Sequence, residues 1–542
     1  MPTITIDGKE CDFEQGQTII QVANANGIEI PQYCYHDGLS IVASCRICLA
    51  EVWAPNPRNE NKLEPIPKLL PTCQTPAGEG QVVYTGSPKA IASQKSVMEY
   101  LLINHPLDCA VCDQAGECLL QDYSYDYGRG ASRFEETKVK QPKKDLGPNV
   151  YLYADRCIMC SRCVRFTREV TGTNELIVQG RGNLEEIDVF PGMALDNELA
   201  SNVIDLCPVG ALLDKDFLFA QRVWFLKEAP SIDGVTASGD NIKIEHNNGS
   251  IYRITPRTNP EVNKWWISDE IRYTWKFVHR EDRLSSTVTV KFGNHAPTEW
   301  PLALEAAIEG LTGTRVLCVV SPMLSCEEAY LLARSARSID EDCVFAVGPI
   351  PREGEDKTFP GGYTVYAEKA PNARGVRRVL EAVAGGEVLS FEDAMGRTGE
   401  FGGSIITGNY PSEWATDPMV DLARETFSVL IDTLPGRLAE TADVVLPGAT
   451  WAEKAGVFEN ANNRLQAFEQ AVPVLDGAKQ EGQIALDLIA LTSGVDRPER
   501  MNAANVRREM ASEFPELVVF ETEVHYPSVE AKQEPDMQVV EL

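Results

Sequence analysis

The chain has no stretch of the roughly 18 to 20 apolar residues that a membrane-crossing helix needs. Its longest apolar runs, such as Val316–Val320, read as buried strands. It also lacks basic charge: 50 Lys and Arg stand against 80 Asp and Glu, a net charge of -30. That excludes a nucleic-acid binder, which needs a basic face, and direct attachment to anionic lipid. Any membrane association must run through partners, and the plain alternative is that the charge serves solubility. The opening Met1-Pro2-Thr3-Ile4-Thr5-Ile6 is neither basic nor followed by an apolar core, so no secretory leader is expected. No internal repeat is visible.

Cysteine is not scarce, and there are 15. Disulfide scaffolds are short and secreted, whereas short C-x2-C spacings in a long chain favour metal. A reducing, cytoplasmic-type compartment follows.

Along the chain, Thr3–Asp7 and Glu10–Phe13 alternate as a hairpin about Asp7-Gly8. Thr18–Asn26 reads as a short helix ended by Gly27, and Gln81–Tyr84 as a returning strand. Ser87-Pro88 starts a helix with its N-cap and first-turn proline; it runs to about Asn104, where Pro106 stops it. Tyr123–Lys144 is polar and reads as a loop. Ile232–Ile254 alternates like strands with Gly and Asn turns. From about Arg315, apolar strands (Val316–Val320, Val344–Val347, Ser404–Thr407, Ser428–Asp432) alternate with helical stretches (Glu327–Ser338, Ala373–Val383), an α/β pattern with a mostly parallel sheet.

Three ligand sets follow one another. The first is C-x10-C-x2-C-x24-C: Cys34, Cys45, Cys48 and Cys73. Four thiolates suit a [2Fe–2S] centre, with two per iron. Gly38, Ala43 and Ser44 keep the loop small, so that backbone N–H groups approach the sulfurs. Zinc is the alternative, although four-cysteine zinc sites usually show two compact knuckles and only one pair here is compact. The second set is H-x3-C-x2-C-x5-C: His105, Cys109, Cys112 and Cys118. Alone it could hold zinc; between two iron–sulfur patterns it points to a [4Fe–4S] centre with one histidine ligand. The third is C-x2-C-x2-C with a distant Cys207-Pro208: Cys157, Cys160, Cys163 and Cys207. This is ferredoxin spacing for one [4Fe–4S] centre. Arg156, Arg162, Arg165 and Arg168 flank it, either raising its potential, pairing with acidic neighbours or forming a solvated helix face.

The runs His105-Pro106-Leu107-Asp108-Cys109, Cys112-Asp113-Gln114-Ala115-Gly116-Glu117-Cys118, Asp155-Arg156-Cys157-Ile158-Met159-Cys160-Ser161-Arg162-Cys163-Val164-Arg165-Phe166 and Asp205-Leu206-Cys207-Pro208-Val209-Gly210-Ala211-Leu212 closely resemble the large iron–sulfur subunits of respiratory complex I, the 75-kDa type, over roughly residues 1–280. The resemblance implies one [2Fe–2S] and two [4Fe–4S] clusters, and a relay from a flavin-bearing NADH-oxidising partner. Electrons would cross the first set, the third and lastly the second, toward quinone-side iron–sulfur subunits. It implies a peripheral place on the cytoplasmic side of the inner membrane, among other peripheral-arm subunits. Two departures stand out. The gap from Cys48 to Cys73 is long and carries Pro55, Pro57, Pro65 and Pro67, so it reads as a surface insertion. No cysteine lies between Cys207 and Cys318, so the fourth cluster of some bacterial members is not expected.

In the C-terminal half, Val262–Asp269 and the run from Ala442-Asp443-Val444-Val445-Leu446-Pro447 to Glu453-Lys454-Ala455-Gly456-Val457-Phe458-Glu459-Asn460 resemble molybdopterin oxidoreductases. Catalytic members use a metal–pterin and usually a protein ligand. Here Cys343 is followed by Val344 in strand-like sequence, and Cys11, Cys318, Cys326 and Cys343 all read as buried small hydrophobes. The domain also looks short, so a degenerate scaffold without molybdenum is expected.

The expected architecture is multidomain α+β and α/β. It comprises a β-grasp [2Fe–2S] ferredoxin-like domain (1–86), a helical His/Cys [4Fe–4S] segment (87–149) and a ferredoxin-like [4Fe–4S] domain (150–220). A truncated molybdopterin-oxidoreductase-like domain (221–524) and an acidic tail (525–542) follow. The alternatives are the large chain of a soluble NAD-linked formate dehydrogenase or hydrogenase, which needs a molybdenum ligand or further cysteines, and a non-redox zinc scaffold.

Overall fold

The computed structural model describes residues 1–527 apart from 292, 495 and 497–499. The expected acidic tail lies, from 528 onward, outside the described residues. The chain divides into two units. The first comprises residues 1–226, 264–269 and 358–364; the second comprises 227–263, 270–357 and 365 onward.

The first unit opens with the expected hairpin. Thr3–Ile6 pairs antiparallel with Lys9–Asp12, and both turn residues, Asp7 and Gly8, have positive φ, which matches the twist of two short strands. Thr3–Ile6 also pairs in parallel with Val82–Tyr84. That strand pairs antiparallel with Leu49–Asn56, and Leu49–Asn56 in turn with Lys62–Pro65. The helix Ile19–Ala25 starts at Thr18 with a reciprocal cap from Gln21 and buries Ile19, Ile20 and Val22 with Ile4, Ile6, Val52 and Val83. This is the β-grasp arrangement. The proline-bearing stretch after Cys48 forms the Leu49–Asn56/Lys62–Pro65 hairpin, whose turn is exposed.

The helix Pro88–Asn104 begins at Ser87, whose hydroxyl accepts from Ala90 N at 3.3 Å, and stops at His105. Lys138 donates to its last-turn carbonyls at Leu102 and Ile103. The stretch read as a loop from Tyr123 is helical as far as Tyr127, in Leu119–Tyr127. Aromatic packing outweighs the polar composition there: Tyr123 lies 5.3 Å from Tyr33 and 5.5 Å from Tyr127, one turn on. Beyond it, Val150–Tyr153 pairs with Leu212–Asp214. The short helices Arg162–Glu169 and Asn202–Leu206 lie between these strands in sequence.

The second unit begins with an antiparallel sheet of Lys227–Ile232, Asn241–Asn247 and Ser250–Pro256. A seven-stranded sheet follows. Its parallel part runs, across the sheet, Val344–Val347, Val316–Val320, Gly403–Thr407, Phe427–Asp432 and Val444–Pro447. The Val316–Val320 and Gly403–Thr407 strands are buried throughout, as strands covered by helices on both faces must be. In chain order this is 2-1-3-4-5, a doubly wound sheet. Antiparallel strands Val288–Lys291 and Asn294–Pro297 close one edge. Among the described residues, no helix is long and apolar enough to cross a membrane.

Candidate iron–sulfur centres

The four cysteines of the first set come together as two pairs. Cys48 Sγ and Cys73 Sγ stand 3.5 Å apart. Thiolates that share one tetrahedral metal at about 2.3 Å stand roughly 3.8 Å from each other. Cys34 and Cys45 form the second pair: their hydrogen bond, opposed by burial, brings the Cys34 thiol down to about 5, while the same bond and then burial push Cys45 up. The hydrogen bond to Cys73 brings Cys48 down to about 7. Two pairs are the donor set of two irons. Backbone N–H groups of Ser44 and Cys45 reach the Cys34 sulfur, and that of Ile47 reaches Cys45. Ala43 and Arg46, both at positive φ, turn the loop inward. Gly38 serves differently from the expectation. A Cβ there would meet the Trp265 ring at 2.7 Å and the Trp266 ring at 2.9 Å, so it makes room for two indoles. Trp266 also stacks on His36 at 5.5 Å.

The third set is arranged around one apolar cavity. Cys157, Cys160, Cys163 and Cys207 line it with Leu152, Ile158, Ile187, Val209 and Leu212. Met159 and Ser161 have positive φ, and Met159 N donates to Cys157 Sγ at 3.3 Å. N–H groups of Arg162, Val164 and Val209 reach Cys160, Cys163 and Cys207 in turn. Burial pushes the Cys157 thiol up to about 12 and Cys207 up to about 11. Neutral thiols are what burial in a dry pocket produces where no cation shares their charge.

The second set lies on three elements. His105 ends the long helix, Cys109 begins the turn Cys109–Val111, and Cys118 caps Leu119–Tyr127. His105, Cys109 and Cys118 line one cavity, and Cys112 and Cys118 each feel the charge of Cys109. Burial, with help from Arg156, lowers His105 to about 4, so its imidazole is neutral at pH 7 and available as a ligand. The donor sets fit clusters, which spread their ligands over several irons.

The three sets touch. Arg165 Nη2 donates to both Cys34 O at 2.5 Å and Cys160 O at 3.3 Å, joining the first set to the third. Leu119 N donates to Pro208 O at 3.1 Å. Arg156 spans Asp108 and Gly210 O at 2.8 and 3.5 Å, joining the third set to the second. The reading of the arginines as a solvated face fails for three of the four: Arg156, Arg162 and Arg165 are buried, and only Arg168 faces solvent. Nothing in the local spacing marks this, because most of their acceptors lie far away in sequence.

In the second unit Cys343 and Cys318 are buried against each other, and burial raises both thiols. Cys326 bonds Asn372. These are packing cysteines. Where an open doubly wound sheet would offer its ligand crevice, the chain's own side chains stand: Tyr410 is buried with its hydroxyl on Pro349 O, and its ring stacks on Trp414 at 4.6 Å.

Ferredoxin-like and helical scaffolds carrying thiolate sets within one unit define a multicentre iron–sulfur protein. Comparison with known families agrees. Residues 1–88 match the 2Fe-2S iron-sulfur cluster binding domain. Residues 94–133 match the NADH-ubiquinone oxidoreductase-G iron-sulfur binding region, and 147–213 the ferredoxin-like domain of NADH-quinone oxidoreductase subunit 3. Residues 394–490 match molybdopterin oxidoreductase. Residues 226–276 match a NuoG-like 4Fe-4S domain, yet this stretch contains no cysteine and offers no thiolate. The chain resembles the large iron–sulfur subunits of NADH:quinone oxidoreductase. It is 37% identical over 355 residues to the NADH-ubiquinone oxidoreductase 75 kDa subunit of Reclinomonas americana, covering 65% of this chain and 50% of that one. It is 42% identical over 303 residues to the mitochondrial NADH-ubiquinone oxidoreductase 78 kDa subunit of Neurospora crassa, covering 56% and 39%. The chain thus spans half or less of the length of these curated relatives. A solved NAD+-reducing [NiFe]-hydrogenase chain aligns with a TM-score of 0.35 at 28% identity, over 41% of this chain and 91% of that one.

Proposed function

We propose that this chain relays electrons as a subunit of an NADH:quinone oxidoreductase of the complex I type. Cys34, Cys45, Cys48 and Cys73 hold a [2Fe–2S] cluster. His105, Cys109, Cys112 and Cys118 hold one [4Fe–4S] cluster, and Cys157, Cys160, Cys163 and Cys207 another. The clusters supply one-electron chemistry when bound. The residues of the chain space them, keep water from the third set, and direct N–H groups at the sulfurs, which tunes the potentials.

The observation that carries this reading is the order of the sets in space. Cys160 lies beside Cys34, across Arg165, and Gly210 lies against Cys112. A third set between the first and second is what a relay in that order needs. The electron donor is a flavin-bearing NADH-oxidising subunit and the acceptor a quinone-side iron–sulfur subunit. The acidic chain sits peripherally on the cytoplasmic side of the inner membrane, held by these partners. Residues 1–86, 87–149 and 150–220 are the three cluster domains, and 221–524 is a scaffold with its crevice filled.

The test is the iron, sulfide, zinc and molybdenum content of the native protein purified without oxygen. About ten irons per chain, two plus four plus four, with no molybdenum, is the expected result. Zinc in place of iron, or molybdenum near one per chain, would overturn the reading.

A further inference from the structure

Arg162 and Arg165 are buried cations on one short helix, at 7% and 3% exposure. A buried charge is costly unless it is paired. Arg156, their neighbour in sequence, has Asp108 at 2.8 Å. Among the described residues, neither Arg162 nor Arg165 has a carboxylate within ion-pair distance. Both spend their donors on backbone carbonyls instead. Arg162 donates to Leu206 O at 3.2 Å, one residue before Cys207, and to Tyr35 O at 2.5 Å, one residue after Cys34. Arg165 donates to Ser40 O, to Cys34 O, to Cys160 O and to Ser161 O. Its links to the Cys34–Ser40 loop cross 125 and 131 residues of sequence.

These carbonyls belong to the loops of two different ligand sets. Carbonyls are dipoles and cannot neutralise two full charges. Thiols are among the nearby groups that can carry negative charge: Cys160, Cys207 and Cys34 act on Arg162, and Arg162 and Arg165 both act on Cys160; the Glu169 carboxylate is engaged with Ser40 N and Oγ.

We propose that Arg162 and Arg165 form a two-bolt clamp between the first and third cluster sites, with the clusters themselves as the counter-charge. The assignment rests on the cluster reading given above. As positioning residues, the two guanidiniums fix the distance between the Cys34 loop and the Cys160 loop. As charges, they lie between two anionic centres and favour the reduced form of each. The step they serve moves a single electron, and no bond or proton changes hands. Arg156 would not share this role, because its own carboxylate already balances it.

The test is a redox titration followed by electron paramagnetic resonance on the full-length protein, with iron content measured first. Arg165→Gln is expected to lower the potentials of the first and third centres by at least a tenfold change in the reduction equilibrium, about 59 mV for one electron. The second centre should stay where it is. Arg165→Lys, which keeps the charge but cannot fork to several carbonyls, is expected to restore most of the potential. If Arg165→Gln fails to hold clusters, the pattern of loss decides. Loss of the first and third centres alone supports the clamp; loss of all three overturns it. Unmoved potentials, or equal shifts at all three centres, also overturn it. A wild-type protein without the expected iron would instead refute the cluster reading beneath it.

Discussion

Gly210 makes room for the sulfur of Cys112: a Cβ at position 210 would stand 2.2 Å from Cys112 Sγ. Contact that close cannot be relieved by a small shift, because the thiol is held in a loop that Arg222 pins through Cys112 O at 2.7 Å. Gly210→Ala is therefore expected to displace Cys112 and cost the chain its second centre. Iron should fall by about four atoms of ten, with the first centre's signal intact. Full iron with an unaltered spectrum would show that Cys112 is not a ligand.

Cys160→Ser tests the middle of the proposed relay. In the assembled complex it is expected to remove one [4Fe–4S] signal and abolish quinone reduction, while NADH-to-ferricyanide activity persists upstream. Surviving quinone reduction would take the third set off the main path.

The second unit holds a buried triad. Lys454 Nζ lies 3.0 Å from Glu328 and 2.8 Å from Glu481, and all three are 1% exposed. One ammonium cannot balance two carboxylates. Burial first, and then Glu328, raise Glu481 to about 8, against the pull of Lys454. A carboxyl raised on folding binds its proton more tightly in the native state. Its contribution to stability is complete below the unfolded value near 4.5, declines as pH rises, and is gone above about 8. Melting curves between pH 5 and 9 should therefore show Glu481→Gln gaining on the wild type by up to about 1.4 kcal/mol per pH unit over that window. Parallel curves would mean that Glu481 is ionised throughout.

Cys343→Ala and Cys318→Ala are expected to leave iron content and all cluster signals unchanged, since both thiols lie in the apolar sheet core. Stability should fall modestly, by about 1 kcal/mol for small cavities. A lost metal atom in either variant would assign the second unit a ligand role.

Much of this was legible in the sequence. Asp7-Gly8 foretells the hairpin, Ser87-Pro88 the long helix, and the unbroken Val316–Val320 run a doubly covered parallel strand, because each depends on neighbours a few residues apart. The grouping of the twelve candidate Cys and His ligands into three sets is read from their spacing. What stays hidden depends on distant partners. Arg162 and Arg165 look like a solvated stripe until Tyr35, Ser40 and Leu206 bring their carbonyls. Gly38 reads as a device for backbone approach, and only the return of Trp265 and Trp266 explains it. Tyr123–Tyr127 has a polar composition, and the ring of Tyr33 makes it helical.

That return bears on biogenesis. Residues 264–269 and 358–364 belong to the first unit: Trp266 packs on Phe166 at 5.0 Å, Ile267 O accepts from Asn202 at 2.7 Å, and Gly361 N donates to Val170 O at 2.9 Å. When residue 226 leaves the ribosome, the first unit still lacks these pieces. At about 5–20 residues per second, the last of them follows roughly 7 to 28 seconds later. During that interval the twelve candidate ligand residues are made but their housing is open. The cell's machinery for delivering iron and sulfide thus has a window in which the sites are accessible, and it closes when the C-terminal half threads its two short stretches of chain home.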